Sequence, residues 1–207
     1  MRFSSFDDYS AYNIERLADI FAYVSKGRDG TKAARELIER FETLDNCFAA
    51  SVEELESVVG KKTAVFVKVL AAITSRRITD NFEFGKAHGS AEIGEYFAAR
   101  LLSESVEVVL AMYLDSDGRA VACRAVGEGT VNMSDIVTRK ILEYAVEFGC
   151  SRIILAHNHP RGVAQASADD VNMTAKLSGV LRRAGMTLEY HLVVAGMDCD
   201  AVDYEGE

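Results

Sequence analysis

The most informative stretch of the sequence is residues 155–170, which read LAHNHPRGVAQASADD. His157 and His159 stand two positions apart at the end of an apolar run, so in extended backbone both side chains leave the same face of a strand. Pro160, the only proline in the chain, stops such a strand because it has no backbone N–H to donate. Asp170 lies in the first turn of the helix predicted to follow. Its carboxylate can therefore turn back toward the two imidazoles.

Two imidazoles and one carboxylate form the donor set of a catalytic zinc site, in which three protein ligands leave a fourth position open for water. Zinc lowers the pKa of that water to about 7. A hydrolase also needs a base that takes the water's proton and passes it to the leaving group. Glu107 stands at the start of an apolar strand, where a carboxylate is costly unless it has a use. The sequence predicts one zinc ion per chain, held by His157, His159 and Asp170, with Glu107 as the general base.

Each of these residues also has a purely structural interpretation. A histidine pair at a strand end can be a hydrogen-bonded turn. Ser167 and Asp170 have the spacing of a helix N-cap and an acidic residue at the third helical position. Glu107 can be an ordinary solvent-facing residue, and His88 and His191 are interpreted as structural. The structural interpretations weaken only when all the positions are considered together.

The pattern around this stretch changes from strand to helix and back. Residues 106–114 and 119–126 form a predicted hairpin, because a DSDG turn signal separates two apolar, β-branched runs. The remaining predicted elements are helices over 90–102, 134–148 and 167–183 and strands over 152–156 and 188–194. This order predicts an α/β sandwich with a mixed sheet.

The N-terminal part has a helical pattern instead. Apolar residues recur there at spacings of three and four from residue 12 to residue 77. Ser51 and Glu54 have capping-box spacing, and Gly60 ends the helix that they open. We therefore expect a small all-helical bundle over residues 1–78, a glycine-containing linker over 79–89 and the α/β domain over 90–207.

Composition narrows the classes of function. The net charge is −9, and the 12 basic and 14 acidic residues of 1–85 contrast with 11 and 18 in 86–207. Neither part has the excess of Lys and Arg that drives binding to nucleic-acid phosphates, so nucleic acid is possible as a partner but not supported by charge. An apolar run of ~18 residues is absent, which predicts no membrane span. The acidic N-terminus and four scattered cysteines predict a cytoplasmic protein with free thiols.

The motif H-x-H-P, six residues and then S-x-x-D, with a glutamate upstream on a strand, resembles the JAMM metal-binding motif of JAB/MPN-plus proteins. It is most similar to the bacterial RadC family (UPF0758), whose members carry H-N-H-P-S-G followed by a serine and an aspartate at this spacing. Gly129-Thr130-Val131 and Arg139 stand in register with two further segments of that family. The resemblance is strong over residues 90–200 and weaker through the helical part, where the family has a helix-hairpin-helix-like segment.

The resemblance implies a role for each matching position. His157, His159 and Asp170 would ligate zinc, Glu107 would be the general base, and Ser167 would help to stabilise the oxyanion formed at a carbonyl. Active relatives in the wider superfamily cleave peptide or isopeptide bonds. The implied function is therefore that of a metalloprotease-like hydrolase whose substrate is a peptide or protein amide.

Two departures from the family pattern bear on function. Arg161 replaces the serine that usually follows the motif proline, which is expected to alter the charge preference for substrates. The hairpin that is Gly-x-Gly in the family reads VGKK at residues 59–62, and one glycine fewer argues against phosphate binding by its backbone. A DNA-repair or mobile-element accessory protein with a vestigial metal site is the main alternative, and a metal-dependent nuclease is another. Retention of Glu107 favours an enzyme.

Overall fold

The fold is described here from a computed structural model, which covers residues 17–24, 30–129 and 135–204. Residues 17–24 are helical (α1). The other helices are α2 Gly30–Phe41, α3 Leu44–Ala49, α4 Val52–Val59, α5 Lys61–Thr79, α6 Ser90–Leu101, α7 Asp135–Phe148 and α8 Ala168–Arg183. The strands are β1 Val108–Leu114, β2 Ala120–Glu128, β3 Arg152–Asn158, β4 Thr187–Ala195 and β5 Asp198–Ala201. The predicted α/β class, with helices first and a mixed sheet after them, is confirmed.

The helical region, α1–α5, packs around one apolar cluster that includes Phe21, Leu37 and Leu55. The predicted capping box opens α4, where the Ser51 hydroxyl accepts from the Glu54 amide and the Glu54 carboxylate accepts from the Ser51 amide. Gly60 ends α4 and precedes α5 with a positive φ of 79°, a conformation that costs glycine little because it has no Cβ. Helix α5 continues to Thr79, two residues past the helical pattern that the sequence shows up to residue 77.

The sheet has the strand order β2-β1-β3-β4-β5. The pairs β2–β1, β1–β3 and β4–β5 are antiparallel, whereas β3 and β4 are parallel and joined by α8. This crossover places the end of β3 beside the start of α8. The two halves of the 155–170 stretch are therefore brought together by topology.

Both faces of the sheet are covered, which explains why β3 is apolar without alternation from Ile153 to Ala156. Ile154 and Ala156 of β3 pack in the cluster that contains α6, together with Phe97. Ile153 and Leu155 point the other way, into the cluster beneath α7 and α8. By the same alternation, His157 belongs to the α8 face and Asn158 to the opposite face.

Among the described residues, polar contacts of Lys68, Asp45 and Arg161 join the helical region to the α/β part. The Lys68 ammonium donates to the carbonyls of Phe48 and Ala50 in the helical region at 2.6 and 3.0 Å, and to Ser103 beyond α6 at 3.2 Å. Asp45 accepts from the amide of Met197 at 3.2 Å. The third contact is an ion pair between Arg161 and Glu54, at 2.7 Å. These contacts fix the helical region beside the loop that follows His159.

The four cysteines are free thiols, as predicted, and Cys123 and Cys150 are buried in the core. Within the residues that the structure describes, no helix is long and apolar enough to cross a bilayer.

Candidate metal centre

His157 and His159 lie where β3 ends, with their rings 4.9 Å apart. The two Nε2 atoms approach to 3.0 Å. The backbone of His159 is held in place because its amide donates to the Val194 carbonyl on β4 at 2.8 Å. The predicted i, i+2 pair therefore converges on one point, and His157 is nearly buried while His159 faces the opening.

Asp170 completes the group from the first turn of α8. Its Oδ1 lies 3.3 Å from His157 Nε2, and its Oδ2 lies 3.5 Å from His159 Nε2. Ser167 is the N-cap of α8, and it donates to Asp170 Oδ2 through both its amide, at 2.8 Å, and its hydroxyl, at 2.7 Å. Ser167 therefore caps the helix and also holds the Asp170 carboxylate toward the two imidazoles. The N-cap interpretation of these residues is compatible with Asp170 as a metal ligand.

Its hydrogen-bond partner assigns the tautomer of a neutral His159 ring. His159 Nδ1 lies 3.2 Å from the Val163 carbonyl, which can only accept, so Nδ1 carries the proton and Nε2 is bare. His157 Nδ1 faces His191 Nε2 at 2.8 Å, and its own Nε2 faces the cluster.

The donor set fits a metal cation. With His157 in its Nδ1–H form, two bare imidazole nitrogens and an ionised carboxylate face one another and no proton lies between them, an arrangement that a cation stabilises. One ligand atom from each of His157, His159 and Asp170 lies within 4.8 Å of the others. Tetrahedral zinc with bonds near 2.0–2.1 Å requires ligand atoms about 3.3 Å apart. The two Nε2 atoms are 3.0 Å apart, and each lies at a similar distance from one carboxylate oxygen of Asp170, 3.3 Å from Oδ1 for His157 and 3.5 Å from Oδ2 for His159.

The electrostatics of the group favour metal ligation. Burial lowers the pKa of His157, which keeps its ring neutral and able to bind a cation. Burial raises the pKa of Asp170, but the hydrogen bonds from Ser167 and the two nearby imidazoles outweigh it, and the pKa ends below its usual value. The His157 ring and the Asp170 carboxylate are therefore held in the protonation states that a metal requires.

Glu107 immediately precedes β1 and is exposed to solvent. It lines the same pocket of about 250 Å³ as His157, His159, Ser167 and Asp170. Its backbone carbonyl accepts from the amide of Gly129 at 2.7 Å. The structure thus brings every sequence-predicted site residue to one pocket, while the chemical role of each remains a prediction.

Asn158, between the two histidines, was not predicted to be functional. Its side-chain oxygen accepts from the Val108 amide at 2.7 Å, and its side-chain nitrogen donates to the Val106 carbonyl at 2.9 Å. Both partners are immediate neighbours of Glu107 in sequence. Asn158 therefore fixes the backbone that carries Glu107 relative to the strand that carries the histidines.

His191, which the sequence indicates as structural, is buried and hydrogen-bonded to His157. It lies on β4 behind His157, and the two rings are 4.8 Å apart. Burial lowers its pKa to about 3, and the neighbouring His157 adds to that effect. His88 does lie elsewhere, since it bonds to Glu83 and Glu92.

The other positions that were compared with the family pattern lie in different parts of the structure. Gly129 lines the pocket, whereas Thr130 and Val131 lie outside the described residues. Arg139 is exposed on α7 and pairs with Glu143 at 2.7 Å. Arg161 is engaged by Glu54 of the helical region. Arg161, which is predicted to alter the charge preference for substrates, therefore already has a carboxylate partner within the protein.

Comparison with known proteins agrees with this geometry. A family model for the RadC-like JAB domain matches residues 87–204. A UPF0758 protein of Cupriavidus taiwanensis is 30% identical over 185 residues, which is 88% of this chain and 81% of that protein. Another from Bordetella parapertussis is 31% identical over 173 residues, covering 82% and 77% of the two chains. One from Fusobacterium nucleatum is 26% identical over 199 residues, covering 91% and 84%.

The fold and the site together define a JAB-type α/β domain with a histidine–aspartate group at the end of a central strand. The chain belongs to the RadC-like JAB family of bacterial UPF0758 proteins.

Proposed function

We propose that this protein is a zinc-dependent hydrolase that cleaves an amide bond in a peptide or protein. The observation that carries the proposal is the convergence of His157, His159 and Asp170. The two imidazole Nε2 atoms are 3.0 Å apart, and each lies within 3.5 Å of a carboxylate oxygen of Asp170. Zinc held by three protein ligands supplies a Lewis acid and lowers the pKa of water to about 7.

The protein's own groups supply the remaining parts of the chemistry. Glu107 is the only carboxylate besides Asp169 and Asp170 among the described residues that line the pocket, and it stands across the pocket from α8. In this proposal it accepts a proton from water and delivers it to the leaving amine, which is general acid–base catalysis. Ser167 lines the same pocket, and its hydroxyl is a candidate donor to the carbonyl oxygen as negative charge develops there, once its hydrogen turns away from Asp170 Oδ2.

The shape of the site favours an amide within a larger molecule. A pocket of about 250 Å³ is small compared with the 300–1,000 Å³ that is typical of sites for drug-sized ligands. It suits a single amide group and its immediate neighbours. The rest of a peptide or a modifier-linked lysine would lie across the surface around the opening.

We expect amide cleavage to depend reversibly on zinc. The wild-type protein would be incubated with fluorogenic peptides and with lysine-linked isopeptides, before chelation, after chelation and after zinc is restored. Cleavage is expected to stop on chelation and return with zinc, because Glu107 has no activated water without the metal. Cleavage that survives chelation would contradict the proposal.

The alternative proposal is a DNA-repair or mobile-element accessory protein with a vestigial metal site. If zinc-loaded protein cleaves none of these amides but binds duplex DNA with a steep dependence on salt, that alternative replaces the hydrolase. The net charge of −9 argues against such binding.

A further inference from the structure

A chain of hydrogen bonds runs from Thr174 on α8 through His191 on β4 to His157, one of the three candidate metal ligands. The Thr174 hydroxyl donates to the backbone carbonyl of Asp170 at 2.6 Å. The same hydroxyl oxygen lies 2.6 Å from His191 Nδ1, and His191 Nε2 lies 2.8 Å from His157 Nδ1. Thr174 and His191 are both buried, with 0% and 2% of their surfaces exposed. Water therefore cannot substitute for any partner in the chain.

The chain has one direction, because it begins at a group that can only accept. The Asp170 carbonyl takes the single hydrogen of the Thr174 hydroxyl, so the hydroxyl oxygen must accept from His191 Nδ1–H. A neutral His191 then has a bare Nε2, which must accept from His157 Nδ1–H. The last step leaves His157 Nε2 without a proton, and that atom faces His159 and Asp170.

We propose that Thr174 and His191 are positioning residues that fix His157 in its Nδ1–H tautomer and so present a bare Nε2 to the metal. This inference rests on the proposed metal site, and it explains two features that the ligands alone leave without a function. The first is that His191, buried against His157, uses both of its ring nitrogens in hydrogen bonds. The second is that Thr174, in the middle of α8, turns its hydroxyl inward.

Helix α8 contributes to the site twice through this arrangement. Its first turn supplies the carboxylate of Asp170, and the backbone carbonyl of that same residue sets the direction of the hydrogen bonds one turn later. A partner that holds the distal nitrogen of a ligating imidazole fixes the tautomer and the ring orientation, and removing such a partner typically weakens metal affinity about 10- to 100-fold.

The test replaces Thr174 with Val, which has nearly the same shape but no hydroxyl. His191 Nδ1–H then has no acceptor, so His191 is expected to move its proton to Nε2 and donate to His157. His157 would in turn carry its proton on Nε2, where it competes with the metal. We expect the zinc dissociation constant of Thr174→Val to rise about 10- to 100-fold, measured by competition with a chelating indicator.

Two further variants separate this effect from simple loss of packing. Thr174→Ser keeps the hydroxyl and is expected to bind zinc within threefold of wild type. Thr63→Val alters a threonine of α5 that is also buried, at 1% exposed, but lies in the helical region away from the site. It is expected to leave zinc affinity unchanged.

Long-range ¹H–¹⁵N correlation spectra of the metal-free protein read the tautomers directly and do not depend on zinc binding. The wild type is expected to show Nδ1–H for both His157 and His191, and Thr174→Val is expected to show Nε2–H. An Nε2–H signal for His157 in the wild type, or unchanged tautomers and zinc affinity in Thr174→Val, would overturn the inference. If the tautomers are as expected but the wild type takes up no zinc, the proposed function fails and the hydrogen-bond chain stands.

Discussion

Glu107→Gln is expected to keep its zinc and to lose 10²- to 10⁴-fold in the rate of amide cleavage, the range that general acid–base catalysis typically contributes. Glutamine has nearly the same shape as glutamate but cannot accept a proton from water. The side chain is exposed at the pocket and is not one of the three ligands, so zinc content should be unchanged. The rate would be measured on the amide that the zinc-loaded wild type cleaves fastest.

Glu128→Gln is the matched control for this variant. Glu128 is an exposed carboxylate at the end of β2, directly across from Val108, and it does not line the pocket. The rate of amide cleavage by Glu128→Gln is expected to equal that of the wild type. A Glu107→Gln rate within threefold of wild type would show that Glu107 is not the base.

Asn158→Leu is expected to lower the free energy of unfolding by about 2–4 kcal/mol, because it leaves two backbone groups beside a buried strand without partners at ~1–3 kcal/mol each. Leucine fills a similar volume but cannot pair with the Val106 carbonyl or the Val108 amide. The variant is also expected to cleave amides more slowly at unchanged zinc content, since the backbone on both sides of Glu107 loses its anchor. Urea denaturation and metal analysis measure the two effects.

Asn81→Leu provides the comparison for that stability change. Asn81 is exposed after α5, and its side chain donates to the Arg77 carbonyl in a solvated turn. Its replacement by leucine is expected to lower the free energy of unfolding by less than about 1 kcal/mol, since water can hydrogen-bond to that carbonyl instead. Equal destabilisation by the two variants would mean that Asn158 has no special role in holding the Glu107 segment.

Much of the fold follows from local sequence patterns. The apolar runs on either side of the DSDG turn form the predicted hairpin, and the spacing of Ser51 and Glu54 opens a helix as predicted. The polar strand β5 was not predicted, because DCDA at residues 198–201 has no apolar alternation and is held at the sheet edge by pairing with β4. The first strand was predicted from Val106 but begins at Val108, because the Asn158 side chain takes the backbone groups on either side of Glu107.

The three candidate metal ligands could be predicted because they are close in sequence. His157, His159 and Asp170 lie within one loop and its two flanking elements, so their spacing already indicates a common target. His191 and Thr174 could not be found in this way, since their relation to His157 depends on the parallel pairing of β3 with β4. The role of Asn158 could not be predicted for a similar reason, since its partners Val106 and Val108 lie some 50 positions earlier, just before β1 and at its first residue. The one available signal was a set of polar residues inside segments that are otherwise apolar.

The direct test of the metal site is the zinc content, by mass spectrometry, of protein purified without added metal. We expect about one zinc ion per chain in the wild type and none in His157→Ala/His159→Ala, because the double variant keeps only one of the three ligands. Wild-type protein that holds no metal and takes up none when zinc is supplied would contradict the proposed hydrolase.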